Sequence, residues 1–348
     1  MRDRRLRQPP GSKVDVTGVA PLPSRIARHD GGVTTARAPA WIAIGGAVLV
    51  GVLTAVQARI NGQLGLRIDD GLVAAAISFG SGLAVLIVLS LALPAGRRGF
   101  ATLVTGVRSR GIPWWMLAGG AAGALTVATQ GVAVGIIGVS LFTVGVVAGQ
   151  AVSGLILDRI GYGPAGVVAV TLPRLAGGAL ALVAVSISLT GSGLDGIPAW
   201  MLMLPVASGI GIGWQQATNG RLNQRVKAPL TATLVNFSGG TLILVFAAAV
   251  HVAIVGAPRN FPAELWLYAG GPVSVIYIFL SAALVAQTGV LLLGLGAVVG
   301  QLLTSVAIDA LWPAPASPGP VQELAMVLVA LLSVVVATVP WGRLRRAG

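Results

Sequence analysis

The sequence has no cysteine, few histidines and very little charge. Only 9% of its 348 residues are charged, whereas an ordinary soluble domain has about 25%. The absence of cysteine excludes disulfides, thiolate metal sites and thiol catalysis. His29 and His251 lie far apart in sequence, and neither belongs to a cluster of metal ligands. We therefore expect no metal site and no cofactor.

Long apolar segments take the place of the missing charge. Hydrophobic residues make up 55% of the chain, and the mean hydropathy is +0.88. Residues 111–157 and 265–308 carry no charge at all. A membrane-spanning helix needs about 20 apolar residues, so each segment is long enough for two spans. The fold class predicted is an all-α polytopic membrane protein, with the lipid bilayer as its surroundings.

The net charge of +13 does not indicate a nucleic-acid partner. Its basic residues lie in the N-terminal tail and between apolar segments rather than on a folded soluble surface. Residues 1–37 hold eight Lys and Arg with scattered Pro and Gly, which predicts a disordered basic cytoplasmic tail. Residues 343–348 form a short basic C-terminus.

Ten spans account for the apolar segments and for the placement of charge. If both termini are cytoplasmic, 20 Lys and Arg lie inside and three lie outside, namely Arg59, Arg67 and Arg259. Such an asymmetry is the positive-inside pattern of membrane proteins. The predicted span cores are 41–57, 72–93, 114–134, 136–157, 174–191, 198–218, 229–250, 265–284, 288–308 and 322–340.

The ten spans divide into two related halves. Residues 57–86 align without a gap on residues 215–244, with ten identities in thirty positions. A second block matches at an offset of 151; it pairs Trp115/Trp266, Gly119-Gly120/Gly270-Gly271, Gly149-Gln150/Gly300-Gln301 and Asp158/Asp309. Five is an odd number of spans, so the second copy has the opposite orientation. The sequence predicts two inverted five-helix repeats, 38–192 and 193–342, a common plan of secondary transporters.

Two motifs near the ends of the fourth and ninth spans carry a family resemblance. They read "GQAVSGLILDRIG" (Gly149–Gly161) and "GQLLTSVAIDALW" (Gly300–Trp312). Together with the early Gln-x-x-x-Asn-Gly-x-Leu pattern, the chain resembles the drug/metabolite transporter (EamA-like) superfamily, and within it the YdcZ-like branch. The resemblance covers about residues 41–340. It implies a small-molecule carrier, an exporter, in the bacterial cytoplasmic (inner) membrane.

Six amides inside the spans are the candidate substrate or cavity residues, because an uncompensated polar group in hydrocarbon is costly. Gln57 and Asn61 share one helix face, as do Gln215 and Asn219. An alternative is that Asn-Gly ends each helix and the amides satisfy loose carbonyls. The remaining two candidates are Gln150 and Gln301, deep in spans four and nine; Gln130 and Asn236 rank lower.

Two acids, Asp158 and Asp309, end spans four and nine. They are candidates either for ion coupling or for simple interface anchoring, since an acid at a helix C-terminus opposes the helix dipole.

We expect no enzyme, because the clustered aspartates of prenyl transferases and the His-Glu-x-x-His motif are both absent from the sequence. The function predicted is secondary transport of a small molecule by alternating access. A channel or a lipid flippase is the alternative, with an intramembrane enzyme behind it. A second copy of the chain, forming a homodimer, is a further candidate partner.

Overall fold

The computed structural model describes residues 40–163, 166–167, 169–188 and 197–338 of the chain. The predicted tail 1–37, the repeat boundary at 192–193 and the basic C-terminus 343–348 lie outside these residues. Helices make up nearly all of the described part, which contains no strand. The α-helices are Ala40–Ile68 (α1), Gly71–Ala92 (α2), Pro94–Arg108 (α3), Gly119–Thr129 (α4), Gly135–Ile137 (α5), Val139–Arg159 (α6), Leu172–Ser188 (α7), Ala199–Val226 (α8), Pro229–Val255 (α9), Gly270–Leu311 (α10) and Pro320–Thr338 (α11). Two 3₁₀ turns and one π turn accompany them, at Trp114–Leu117, Leu265–Tyr268 and Gln130–Val134.

Six of the described helical segments are long and apolar enough to cross a membrane: Gly45–Ile68, Gly71–Ala92, Trp114–Ile137, Val139–Arg159, Pro229–Val255 and Pro320–Ala337. Three shorter apolar segments accompany them, at Leu172–Ile187, Gly270–Ser281 and Gly296–Leu311. The sixth predicted span falls in α8, where consecutive polar residues such as Gln215 and Gln216 lower the hydropathy.

The Asn-Gly pairs do not end their helices. α1 continues past Asn61-Gly62 to Ile68, and α8 continues past Asn219-Gly220 to Val226. The interpretation of Asn-Gly as a helix end is therefore wrong. The amides bond to side chains of other helices instead of capping their own carbonyls. α8 ends at Lys227, which adopts the left-handed conformation with φ of 52°.

Two predicted spans, 265–284 and 288–308, both fall in α10, which is 42 residues long. A straight helix of that length would measure about 63 Å, twice the thickness of the hydrocarbon core. The first part of α10 runs antiparallel to α1. Gly270 lies against Asn61 and, 14 positions later, Leu284 lies against Gly46.

The second part of α10 runs along α1 in the other direction. Gly296 packs on Ala47, and Asp309 interacts electrostatically with Arg59. The chain therefore doubles back between Leu284 and Gly296, so that the two ends of α10 lie side by side along α1.

Glycines let the main helices approach closely at two crossings. Gly149 of α6 lies against the backbone carbonyl of Val206 on α8, and Gly209 of α8 lies against that of Val146 on α6. A methyl group at either glycine would overlap a backbone atom. Small residues are the usual means by which membrane helices pack tightly.

The crossing between α1 and α10 has the same form. Gly300 lies against the backbone carbonyl of Val48, and Gly51 lies against that of Ala297. Other close pairings join α2 to α9 and α7 to α11. The polar side chains described below lie where α1, α2 and α4 meet α8, α9 and α10.

Candidate functional site

The first polar cluster forms around α1. Gln57 and Asn61 are four residues apart, so α1 presents both on one face. Gln57 Nε2 donates to Ser274 Oγ of α10 at 2.5 Å. Asn61 Nδ2 donates to Gln130 Oε1 at 2.7 Å. With Ser78 of α2, these residues make up cluster A, and all five are buried.

Cluster A contains two buried polar atoms without a hydrogen-bond partner, Asn61 Oδ1 and Ser78 Oγ. Both atoms adjoin Gly270: a methyl group there would lie 2.8 Å from Ser78 Oγ and would overlap Asn61 Oδ1. Buried polar atoms are normally paired in native structures, so each exception needs an explanation.

The second polar cluster forms around α8. Gln215 Nε2 and Asn219 Nδ2 both donate to Asn236 Oδ1 of α9, at 2.8 and 3.1 Å. These three residues make up cluster B. Gly119 and Gly123 of α4 provide the space that the amides occupy. Asn236 Oδ1 therefore accepts two hydrogen bonds, where cluster A leaves an acceptor free.

A stacked pair of phenylalanines joins the two clusters. The rings of Phe79 on α2 and Phe237 on α9 are 4.8 Å apart at an angle of 26°. Phe79 reaches Gly240 and Gly123, next to Gln215, whereas Phe237 reaches Gly82. Both rings are at least 96% buried. The pair is an apolar seal in the middle of a polar region, and neither phenylalanine is among the predicted site residues.

Gln150 and Gln301 do not join these clusters. Each is half-buried, and no side-chain hydrogen bond to either is present in the described part of the chain. Their backbone nitrogens lie at the two glycine crossings, Gln150 opposite Gly209 and Gln301 opposite Gly51. They flank the close approaches of α6 to α8 and of α1 to α10.

Asp158 and Asp309 occupy different surroundings. Asp158 Oδ2 pairs with Arg174 of α7 at 2.6 Å, and both side chains are about 30% exposed. Asp309 is 2% exposed. Its two carboxylate oxygens accept the backbone N–H groups of Val139 and Ser140, at 3.0 and 2.7 Å. An acid at the end of α10 thus caps the start of α6, where the helix dipole favours negative charge.

A second buried acid lies beside Asp309. Glu323, in the first turn of α11, accepts a hydrogen bond from Ser140 Oγ. Arg59 of α1 is near Asp309, and its Nη1 atom is buried without a hydrogen-bond partner. The predicted spans had placed Arg59 in a loop. In the structure it lies instead within α1, inside the helix bundle.

Sequence analysis missed several of these residues for one reason. Serine is weakly polar and common in membrane helices, so Ser78 and Ser274 gave no signal. Gln130 and Asn236 were ranked low because no amide stands at the matching position of the other half. The positions that match them hold serines, Ser281 and Ser78. A comparison that counted serine as polar would have found both.

Each end of the bundle carries its own set of charged groups. At one end, Arg221 of α8 lies 5.7 Å from the ring of Trp115 and 5.1 Å from that of Tyr162. Tyr162 also shares a hydrogen bond of 3.0 Å with Thr218. The Arg221 guanidinium is thus held by two aromatic rings, an arrangement that is stronger when water is excluded.

The ends of α1 and α9 enclose a cleft of about 300 Å³, lined by polar and charged residues that include Arg67, Asp70, His251 and Arg259. His251 Nε2 lies 3.6 Å from Asp70 Oδ2, and Arg67 pairs with Glu264 at 3.2 Å. Within the described residues, no group of three or more His, Asp or Glu could hold a metal ion.

Comparison with known proteins identifies the family. A search of curated proteins found no match to the chain. A family model described as "Putative inner membrane exporter, YdcZ" matches twice, over residues 37–187 and 200–336. The resemblance seen in the sequence motifs is thereby confirmed, as is the assignment to membrane transporters. Since the two matches take in most of the chain, the protein belongs to the YdcZ family of the drug/metabolite transporter superfamily.

Proposed function

We propose that the protein is a secondary transporter that exports a small molecule across the cytoplasmic membrane. Its ten spans form two inverted five-helix repeats, 38–192 and 193–342, which exchange between inward-open and outward-open states. Clusters A and B, with the phenylalanine pair between them, lie where the substrate binds. Both termini are cytoplasmic in this proposal.

The observation that carries the proposal is the exact correspondence of contacts in the two halves. Gly149 meets Val206, and Gly300 meets Val48. Gly300 lies 151 positions after Gly149, and Val48 lies 158 positions before Val206. The two contacts therefore join matched positions of the two halves. The crossing of Gly209 with Val146 is related to that of Gly51 with Ala297 in the same way. Two halves that make equivalent contacts can exchange conformations, which is the physical basis of alternating access.

Further contacts also join matched positions of the two halves. Gly82 packs on Phe237, and Gly240 packs on Phe79. Gly119 adjoins Asn219 and Gly270 adjoins Asn61. In each case the contact joins one predicted repeat to the other. The reversal of α10 between Leu284 and Gly296 supports counting it as two spans, as the ten-span topology requires.

The burial of the clusters supports a carrier over a channel. A channel needs a continuous polar path, but here Phe79 and Phe237 stack between the clusters and the amides of cluster A are at least 95% buried. A solute reaches these amides only after the helices separate. A protein whose helices separate first on one side of the membrane and then on the other is a carrier.

Counterflow in proteoliposomes tests the proposal. A thermal-stability screen of the purified full chain against a few hundred metabolites and drugs supplies the solute; a ligand at 100 times its dissociation constant stabilises by about 2.7 kcal/mol. Vesicles preloaded with the unlabelled solute should then accumulate labelled solute transiently above equilibrium. Simple equilibration without this overshoot would support a channel. Transfer of labelled lipid between leaflets, without solute counterflow, would support a flippase.

A further inference from the structure

The two clusters differ at their matched positions. Position 78 of cluster A is serine where cluster B has Asn236, and position 274 is serine where the other half has Gly123. In cluster B, Asn236 receives hydrogen bonds from both amides. In cluster A, Gln57 donates a hydrogen bond to Ser274 and Asn61 donates one to Gln130. Asn236 Oδ1 thus accepts two hydrogen bonds within cluster B, whereas cluster A leaves Asn61 Oδ1 and Ser78 Oγ buried without partners.

We infer that cluster A is a subsite for a neutral solute carrying an N–H or O–H group, which donates to Asn61 Oδ1 and is supported by Ser78 Oγ. The inference rests on the proposed function, because it names the substrate class of the same site. Asn61 is 1% exposed and Ser78 2% exposed, so water does not reach these atoms in this conformation. Leaving a buried acceptor unpaired typically costs about 1–3 kcal/mol.

The chemistry of the surroundings determines the class of solute. The atoms of cluster A come from amides and hydroxyls, and the seal next to it is apolar. An amide oxygen is an acceptor alone, so it selects a donor. A charged solute would have to leave water without an opposite charge in the cluster, which is unfavourable.

The close contact at Gly270 determines how the proposed subsite opens. In this conformation, Gly270 covers both unpartnered atoms. Movement of α10 away from α1 and α2 would uncover them together. The matching glycine of cluster B, Gly119, adjoins Asn219 Oδ1 and Asn236 Oδ1, and Asn236 Oδ1 already accepts two hydrogen bonds.

The test uses two probes that differ by one donor. Indole carries a ring N–H, whereas N-methylindole has the same ring system without it; both are neutral and small enough to enter an apolar site. We expect indole to bind the purified full chain about 2- to 12-fold more tightly at equal free concentration, as one net hydrogen bond gives. Thermal stabilisation of the protein in detergent measures both dissociation constants.

Variants that copy the other half locate the effect. Ser78→Asn with Ser274→Gly introduces the residues of the other half at these two positions. The larger asparagine, which should accept from Gln57 and Asn61 as Asn236 accepts from its two amides, should fill the space beside Asn61 Oδ1. We expect the preference for indole to disappear in this variant. Should the double variant fail to fold, Ser78→Ala removes the supporting hydroxyl and should reduce the preference. Ser90→Ala is the matched control, because Ser90 also has a buried, unpartnered Oγ on α2, about 18 Å further along the helix.

Equal affinity for the two probes, or no affinity for either, overturns the inference. So does a preference for indole that survives Ser78→Asn with Ser274→Gly in a folded protein. If counterflow succeeds while the indole preference is absent, the proposed function stands without this subsite. If the preference is present and no solute shows counterflow, the subsite stands and the transport proposal fails.

Discussion

The ends of α6 and α10 carry the same residue at matched positions and use it in opposite ways. Asp158 forms a partly exposed ion pair with Arg174, at the start of α7. Asp309 is buried, caps α6 through two backbone N–H groups and lies next to Glu323, at the start of α11. The helix after the first aspartate thus contributes a basic residue, Arg174, and the helix after the second contributes an acidic one, Glu323.

The difference shows how matched positions of a duplicated sequence can stabilise their helices to different extents. An ion pair that is one-third exposed is screened by water and contributes little. A carboxylate that satisfies two buried N–H groups of another helix is difficult to remove, because its loss leaves both donors unpaired. Asp309 thus acts as an anchor between α10 and α6. This placement supports the interface role for Asp309 over the coupling role.

Of the substitutions at these two helix ends, replacement of Asp309 should lower the free energy of unfolding the most. In Asp309→Ala, the first N–H groups of α6 lose their acceptor inside the protein, and we expect a loss of about 2–4 kcal/mol in the free energy of unfolding. Thermal unfolding of the purified protein in detergent measures the change. Asp158→Ala is the matched control and should lower the stability far less. Equal losses in the two variants would remove the distinction between the two ends.

Substitution of Gly138 should come next. This residue precedes α6 with φ of +85°, and a methyl group there would lie 2.8 Å from Asp309 Oδ2 and 2.7 Å from Ser317 Oγ. Gly138→Ala combines strain at positive φ with crowding of the anchor, and we expect a loss of about 2–3 kcal/mol.

Gly166 is the control for Gly138, since its φ is +72° and no described residue lies within 4 Å of a methyl group placed there. Gly166→Ala should lower the stability by about 1 kcal/mol, from backbone strain alone. A Gly138→Ala loss no larger than that of Gly166→Ala would show that Asp309 is not tightly held. Thermal unfolding of both variants in the same detergent gives the comparison.

Removal of the Ser140 hydroxyl should have a moderate effect. Ser140→Ala leaves the backbone bond to Asp309 intact but deprives Glu323 of its donor. We expect a loss of about 1–2 kcal/mol. In the Glu323→Gln background the Ser140 hydroxyl donates to an amide instead of a carboxyl group, so the same substitution should matter less. A loss of equal size in both backgrounds would show that the carboxyl group of Glu323 contributes no more than an amide.

The coupling between Asp158 and Arg174 should be the smallest effect. A double-mutant cycle with Asp158→Asn and Arg174→Gln isolates this pair. We expect an interaction of about 0.2–1 kcal/mol, decreasing at high salt, because both groups meet solvent. A coupling above that range, unchanged by salt, would place Asp158 on a par with Asp309.

Much of the fold could be predicted from the pattern of apolar and polar residues. Long uncharged segments need helices that satisfy their own backbone in hydrocarbon, and the described part of each predicted span is largely helical. The lengths of α1 and α8 could not be predicted, because Asn61-Gly62 and Asn219-Gly220 resemble helix ends. Their amides have partners on other helices, and such partners lie far away in sequence.

The candidate site was predictable in part. Gln57, Asn61, Gln215 and Asn219 do make polar contacts between helices, but Gln150 and Gln301 lie at glycine crossings away from the clusters. The partners of the first four amides include Ser274, which binds Gln57 from 217 positions away in the chain. No local pattern reports which serine among many faces an amide.

The membrane class, the duplicated pattern and the family follow from the amino-acid sequence, because they depend on composition and on the spacing of residues along the chain. The unpaired atoms Asn61 Oδ1 and Ser78 Oγ, the position of Glu323 beside Asp309 and the reversal of α10 emerge from the folded arrangement of the helices. Each of these facts depends on which side chains meet across helices. Such meetings follow from the packing of all the helices at once, and two copies of one pattern can therefore differ in which of their polar atoms are satisfied.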